Sequence, residues 1–382
     1  MRPLVEPHLT RLLPYIAGKP IEETEREYGV HNIAKLASNE NCLGTSPMAT
    51  AAAKAALDKT HLYPDAGAFA LKARIARFHD IDASHVVIGA GSNELITLLG
   101  RGLLGKDDVL VNAWPSFVVY RIVARAQGAT EREVPLTAEY AYDLDALAAA
   151  VNAEPHAKLV FLANPNNPTG TCFGHAALEG FLAKIPADVV VVIDEAYAEY
   201  VGIADPVDAI AIVKRRPRTM MLRTLSKAYG LAAYRVGYGV GDLELVKVVE
   251  QLRDAFNVSS LAQAAAAAAL DDVEFVARTR AHNDAERPRL AAGLSALGFS
   301  VTPSHTNFLL VTLPDGYGLE MPALNEALLR KALIVRPVAN YGLLRSFRVT
   351  VGNVEENNKL LAALAAIAAS LPSSSNAAKA AS

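Results

Sequence analysis

Short, unbroken apolar runs punctuate the chain between residues 85 and 240: Val86-Val87-Ile88, Val109-Leu110-Val111, Leu159-Val160-Phe161-Leu162, Val189-Val190-Val191-Val192-Ile193 and Met220-Met221-Leu222. Helix-length stretches such as 94–104 and 176–184 lie between most of them. A strand that is apolar at every position must be covered on both faces, so the alternation predicts a mainly parallel sheet packed between helices. After Asp242 the pattern turns helical, with helices expected over 243–255, 260–270 and, much longer, 273–297. A second α/β pattern follows: Asn307-Phe308-Leu309-Leu310-Val311, a helix over 321–331, Ile334-Val335 and Phe347-Arg348-Val349-Thr350-Val351. It predicts a smaller lobe joined to the first by the long helix. The expected divisions are an N-terminal arm or small-lobe segment over 1–35, a large domain over 36–272, a small C-terminal domain over 273–371 and a disordered tail over 372–382, where the residues are small and mostly polar. Alanine-rich blocks at 51–56 and 264–269 suit closely packed core helices.

Composition changes this picture little. In 382 residues, 52% are hydrophobic, enough for a sizeable core in two lobes. Lys and Arg number 37 against 40 Asp and Glu, a net charge of -3, which offers no electrostatic reason to expect nucleic acid or an anionic membrane as partner. Any anion must therefore be held locally, by a few placed groups. The two cysteines, Cys42 and Cys172, form no CxxC and no disulfide framework. The N-terminus lacks the apolar core of a signal peptide, and the apolar runs fall short of a membrane span, so a reducing cytoplasm is expected.

The candidate chemistry sits where strands end, the place at which open α/β sheets bind ligands. Arg223-Thr224-Leu225-Ser226-Lys227 follows the Met220-Met221-Leu222 run. A lysine there can form an imine with an aldehyde cofactor and move a proton once substrate amine displaces it. Alone, such a lysine is most often a solvated loop residue. Its neighbours argue otherwise. Asp194, in Val192-Ile193-Asp194-Glu195-Ala196-Tyr197, ends the most apolar run in the chain. A carboxylate in that position demands a cation, and a protonated pyridine nitrogen serves. Tyr197 and Asn167, the latter in Asn164-Pro165-Asn166-Asn167-Pro168-Thr169-Gly170, are candidate donors to a ring oxygen, although that loop is equally a proline-punctuated turn. Arg235 and Ser226 can grip a phosphate, as can the backbone of Gly89-Ala90-Gly91-Ser92-Asn93-Glu94, which opens a helix after a strand. That loop lacks the third glycine of a dinucleotide fingerprint. Phe117 is a candidate stacking ring, or else a core aromatic.

Taken together, these segments resemble the class-I/II aminotransferases of pyridoxal 5′-phosphate fold type I, and most of all the histidinol-phosphate aminotransferase family of histidine biosynthesis. The resemblance runs from Leu13-Pro14-Tyr15-Ile16-Ala17-Gly18 to Val351-Gly352, through Leu36-Ala37-Ser38-Asn39-Glu40-Asn41, Tyr63-Pro64-Asp65 and Val335-Arg336-Pro337-Val338. It implies a large domain with a mixed, mainly parallel seven-stranded sheet sandwiched by helices, and a smaller α/β C-terminal domain. It implies Lys227 as the imine lysine, Asp194 at the pyridine nitrogen, Tyr197 and Asn167 at the ring oxygen, Phe117 stacked on the ring where relatives often carry tyrosine, and a phosphate cup of Ser226, Arg235 and the backbone at Ser92-Asn93. Tyr63 would reach the phosphate of a neighbouring subunit's cofactor, which implies a homodimer with shared active sites.

On the substrate side the resemblance implies Arg348 for the carboxylate of an amino donor or keto acid, and Arg336 with Tyr15 for the substrate phosphate, with Asn39 also in the substrate pocket. Phe256 stands where some relatives place a substrate-contacting tyrosine from the partner, a change toward an apolar substrate edge. Arg345 is assigned to the surface. The implied reaction is ping-pong: L-histidinol phosphate plus 2-oxoglutarate giving imidazole-acetol phosphate plus L-glutamate, and its reverse. Aromatic amino acid aminotransferases share these motifs, and a decarboxylase of a phosphorylated amino acid would share Lys227, Asp194 and the phosphate cup. A methylene or hydroxyl in an apolar pocket changes discrimination by only about 1–3 kcal/mol, too little to read from sequence.

Overall fold

The computed structural model describes residues 4–12 and 18–371. Tyr15 lies outside them. The first strand, β1 (Ala34–Lys35), pairs in parallel with β11 (Leu333–Ile334), so the chain leaves its N-terminal segment beside the C-terminal lobe. The large sheet holds seven strands: β2 (Val86–Gly89), β3 (Val109–Trp114), β4 (Thr130–Pro135), β5 (Ala157–Ala163), β6 (Val190–Asp194), β7 (Thr219–Thr224) and β8 (Gly237–Gly241). Their order is β2-β8-β7-β6-β5-β3-β4. Strand β8 runs antiparallel to both neighbours, and the remaining pairs are parallel.

Burial follows the strand period. Val191 and Ile193 of β6 join one core cluster while Val190 and Val192 join the other, on the opposite face. Helices cover both faces, which is why these strands are apolar throughout. The alanine-rich helices Pro47–Ala56 and Ser260–Ala269 meet through Ala49, Ala53, Ala262, Ala265, Ala266 and Ala269, all buried. Small side chains let the two backbones approach closely.

Two strands of the large sheet are not visible as apolar runs. Strand β4 carries Glu131, Arg132 and Glu133 because it is the edge, with one side toward solvent. Strand β8 reads Gly-Tyr-Gly-Val-Gly, a poor strand by propensity. Its glycines are required by packing: a Cβ on Gly241 would lie 2.7 Å from Met220 Cε.

The helix Val273–Ala296, with Pro288 inside it, leads to a four-stranded antiparallel sheet of order β12-β13-β10-β9. Its strands are β9 (Ser300–Val301), β10 (Phe308–Thr312), β12 (Arg336–Pro337) and β13 (Ser346–Thr350). Leu309, Val311, Phe347 and Val349 pack there against Leu290, Leu360 and Leu364. The C-terminal helix Val354–Ser370 starts with a capping box made by Asn353 and Glu356. Among the described residues, no helix is long and apolar enough to cross a membrane.

Candidate active site

The carboxyl ends of β2, β3, β5, β6 and β7 open into one cavity of about 890 Å³, closed on its far side by β12 and β13. Lys227 projects into it three residues after β7, with Nζ donating to Ser38 O at 3.1 Å. Burial pulls its pKa down to about 8, and the Arg348 guanidinium adds to the shift. Such a lysine holds a usable share of free amine at neutral pH.

Asp194 is the last residue of β6 and is 5% exposed. Its Oδ2 accepts from Tyr120 Oη at 2.6 Å, while Oδ1 is buried without a partner among the described residues. Burial pushes its pKa up to about 6, and the Tyr120 donor opposes the shift. A buried carboxylate oxygen left open in a cavity is a site for a cationic N–H. Tyr120 is a candidate site residue that sequence reasoning missed. It stands three positions after Phe117, a helical spacing that puts both on one side of the helix Val119–Ala126 and its lead-in, and that spacing is the signal that could have found it. The two rings meet edge to face at 5.6 Å, and Tyr120 in turn stacks on Phe161 at 4.4 Å.

The third element is an anion cup. The helix Ser92–Leu103 begins after Gly91, and no side chain caps its first turn, so the amides there are free to face the cavity that Ser92 and Asn93 line. Gly91 has φ 79°, and a Cβ on it would lie 2.9 Å from Arg235 Nη2, so the guanidinium rests against the loop. Ser226 Oγ, which accepts from Thr224 Oγ1 at 2.9 Å, completes the cup. Arg223, in the same motif, is structural: it binds Glu195 at 2.8 Å and Glu199 at 3.3 Å behind the site.

Opposite lies the small lobe. Arg348, 8% exposed on β13, donates from Nη1 to Asn167 Oδ1 at 2.6 Å and from Nη2 to Ala37 O at 2.8 Å; its Nε has no partner among the described residues. With its amide oxygen engaged, Asn167 keeps its NH2 group for another acceptor. Arg336 stands directly across from Arg348 in the β12–β13 register, and both line the cavity. Like charges in cross-strand register repel, an arrangement that anionic ligand groups relieve. Tyr197, 4% exposed, accepts from Asn39 Nδ2 at 2.8 Å, and burial pushes its phenol up to about 12.

Twelve of the expected site residues thus meet around one cavity: Lys227, Asp194, Tyr197, Asn167, Ser226 and Arg235, together with Ser92, Asn93, Phe117, Asn39, Arg336 and Arg348. Tyr63 and Phe256 do not. They stack on each other at 4.6 Å on the surface, 83% and 40% exposed. Arg345 lies at the surface, where its Nη2 donates to Pro314 O at 2.6 Å. Among the described residues no cluster of His, Cys, Asp and Glu is placed to hold a metal ion. The donor set fits a planar cationic ring bearing a phosphate and an electrophilic carbon: an open carboxylate oxygen for a ring N–H, an uncapped helix end for the phosphate, and a depressed lysine for the carbon.

The chain belongs to the family aminotransferase class I and II, whose model matches residues 31–364. It is 50% identical, over 96% of its length and 99% of the relative's, to the histidinol-phosphate aminotransferase of Anaeromyxobacter sp. (strain Fw109-5). It is 44% identical to histidinol-phosphate aminotransferase 2 of Pseudomonas aeruginosa, covering 96% of this chain and 98% of that one. The crystal structure of histidinol-phosphate aminotransferase from Sinorhizobium meliloti in complex with pyridoxal-5'-phosphate superposes with a TM-score of 0.88 at 28% identity, covering 97% of this chain and 99% of that chain. The two-lobed fold with its mixed seven-stranded sheet is that of fold-type-I aminotransferases, as the sequence resemblance implies.

Proposed function

We propose that the chain is a pyridoxal 5′-phosphate-dependent histidinol-phosphate aminotransferase of histidine biosynthesis, working as a cytoplasmic homodimer. The observation that carries the substrate is the cross-strand pair Arg336 and Arg348 facing Lys227, which suits an amine bearing a phosphate and a keto acid bearing carboxylates. The names of the relatives support the same reading.

When bound, pyridoxal phosphate supplies an electron sink that makes the α-proton of an amine acidic. Asp194 Oδ1 holds the proton of the pyridine nitrogen. Asn167 and Tyr197 face the ring oxygen, and Phe117 covers the ring. Ser226, Arg235 and the amides at Ser92 and Asn93 hold the phosphate. As the free amine, Lys227 Nζ would take the proton from the α-carbon of the donor and, in the second half-reaction, deliver one to the α-carbon of the acceptor. Arg348 grips the donor carboxylate and so leaves the Cα–H bond, not the bond to the carboxylate, for Lys227 to attack. Arg336 takes the phosphate of the alternative amine.

The homodimer is supported by exposed apolar residues around Tyr63: Leu62 is 59% and Phe69 79% exposed. In the dimer Tyr63 reaches the partner's phosphate cup, and Phe256 offers an apolar edge to the partner's substrate. Sedimentation and hybrid dimers, in which one subunit carries Lys227→Ala and the other Tyr63→Phe, test this arrangement.

The decisive experiment loads the protein with pyridoxal phosphate and adds glutamate while its visible absorption is followed. Conversion of the cofactor to its amino form, with 2-oxoglutarate released, is expected; carbon dioxide release with no keto-acid requirement would instead identify a decarboxylase. A kcat/KM for histidinol phosphate well above that for phenylalanine is expected, and the reverse order would reassign the substrate to aromatic amino acids.

A further inference from the structure

Asn39 lines the cavity, yet its polar atoms are committed elsewhere. It is 1% exposed and sits at φ 56°, in the left-handed region. Its backbone N–H donates to Thr350 Oγ1 at 2.9 Å, and its carbonyl accepts from Asn307 Nδ2 at 3.1 Å. Its Oδ1 lies 3.3 Å from Thr350 Oγ1, which donates to it. Thr350 ends β13 and Asn307 precedes β10, so the small lobe holds Asn39 on three sides. Only the NH2 group points away, and it donates to Tyr197 Oη at 2.8 Å.

A phenol has one hydrogen. An oxygen that accepts from an amide N–H must aim that hydrogen in another direction. The oxygen itself is held in place, because the Tyr197 ring is buried edge-on against Phe308, centroids 5.2 Å apart, with Lys227 Nζ 5.8 Å from the ring centroid. We propose that Asn39 is a positioning residue that makes Tyr197 a hydrogen-bond donor to the ring oxygen of the bound cofactor. This rests on the reading of the site given above, and differs from a direct contact between Asn39 and substrate. It also assigns a use to the strained backbone at Asn39, which places the amide where only a small-lobe anchor can hold it.

The test follows the visible band of the lysine-bound cofactor against pH, which reports the ring-oxygen environment without turnover. A donor to the deprotonated ring oxygen lowers the midpoint, so removing one raises it. Tyr197→Phe should raise it by about one unit. Asn39→Gly, which keeps the left-handed backbone, should raise it by less, since the unguided hydroxyl still donates part of the time. Asn39→Asp should raise it at least as far as Tyr197→Phe, because a carboxylate accepts and draws the Tyr197 hydrogen away. The charged and titratable groups facing Tyr197, namely Arg348, Asp194, Tyr341 and Lys227, are the same in Tyr197→Phe and Asn39→Gly, whereas Asn39→Asp adds a carboxylate whose charge raises the midpoint as well.

In a Tyr197→Phe background, Asn39→Gly should add nothing. An equal rise in both backgrounds would mean the effect does not pass through Tyr197, and would overturn the proposal. So would unchanged midpoints in the Asn39 variants with a raised KM for the donor, the signature of a substrate contact. If Tyr197→Phe itself leaves the midpoint unmoved, the placement of Tyr197 at the ring oxygen fails and the proposal falls with it.

Discussion

Tyr120 Oη and Asp194 Oδ2 are 2.6 Å apart at the base of the cavity, and the second oxygen of Asp194 faces no protein partner among the described residues. The hydroxyl does two things. It fixes the carboxylate so that Oδ1 is presented to a ligand, and it stabilises the charged form against burial. Tyr120→Phe keeps the stack on Phe161 and removes only the donor. Asp194 then titrates above its present value of about 6, so more of it is protonated at neutral pH. The cofactor-free variant should bind pyridoxal phosphate roughly tenfold more weakly at pH 6.5, a deficit that narrows by pH 8 as the carboxylate ionises again. Equilibrium titrations at the two pH values check this; a deficit independent of pH would assign Tyr120 to packing alone.

The same carboxylate should destabilise the cofactor-free protein. Asp194 titrates at about 6 in the fold against 3.8 when solvated. A raised acid binds more protons folded than unfolded, so its contribution to stability is present at low pH and is lost as pH rises through the folded value. Asp194→Asn removes that loss. Cofactor-free Asp194→Asn should be more stable than the parent by up to about 3 kcal/mol at pH 7.5 and no more stable near pH 4, while transamination collapses. Urea unfolding at the two pH values measures it, and an equal gain at both would refute the linkage.

Lys227 carries the opposite sign. Burial and Arg348 lower it from 10.5 to about 8, which raises the free-amine fraction at neutral pH roughly 300-fold over a solvated lysine. The rate at which cofactor-free protein captures pyridoxal phosphate should climb tenfold per unit up to about pH 8 and then level off. Stopped-flow absorbance reads this directly, and a climb continuing past pH 10 would mean that Lys227 is an ordinary lysine. Lys227→Ala should lose capture and turnover while the fold persists.

What the sequence made legible, and what it hid, divides along physical lines. Strands buried on both faces announce themselves as apolar runs, so β5, β6 and β7 were readable and with them the positions of Asp194 and Lys227 at their ends. Edge strand β4 and glycine strand β8 were not, because charge suits the first and close packing dictates the second. The residues that line the cavity were found through the family pattern. Residues that act on those residues were not: Tyr120 looks like core, and the NH2 group of Asn39 looks like a substrate contact until its partner Tyr197 is seen. Second neighbours in space leave no spacing rule in sequence unless they share a helix, as Phe117 and Tyr120 do.

Strand β8 also braces the loop proposed to hold the phosphate, and that can be tested at one atom. A Cβ on Gly237 would lie 2.6 Å from Ser92 N, 2.7 Å from Arg223 O and 2.8 Å from Gly91 C. All three are backbone atoms, so no side chain can swing aside. The strand must instead push the start of the helix Ser92–Leu103 away from Arg235 and Ser226, widening the cup. Gly237→Ala should therefore weaken pyridoxal phosphate binding by at least about tenfold and cost on the order of 1–3 kcal/mol of stability. At saturating cofactor its kcat should stay within a few fold of the parent, because Lys227, Asp194 and Arg348 lie on other elements. Gly202→Ala, where a Cβ meets nothing within 4 Å, is the control and should leave both quantities unchanged. Undiminished cofactor affinity in Gly237→Ala would show that the amides at Ser92 and Asn93 do not hold the phosphate.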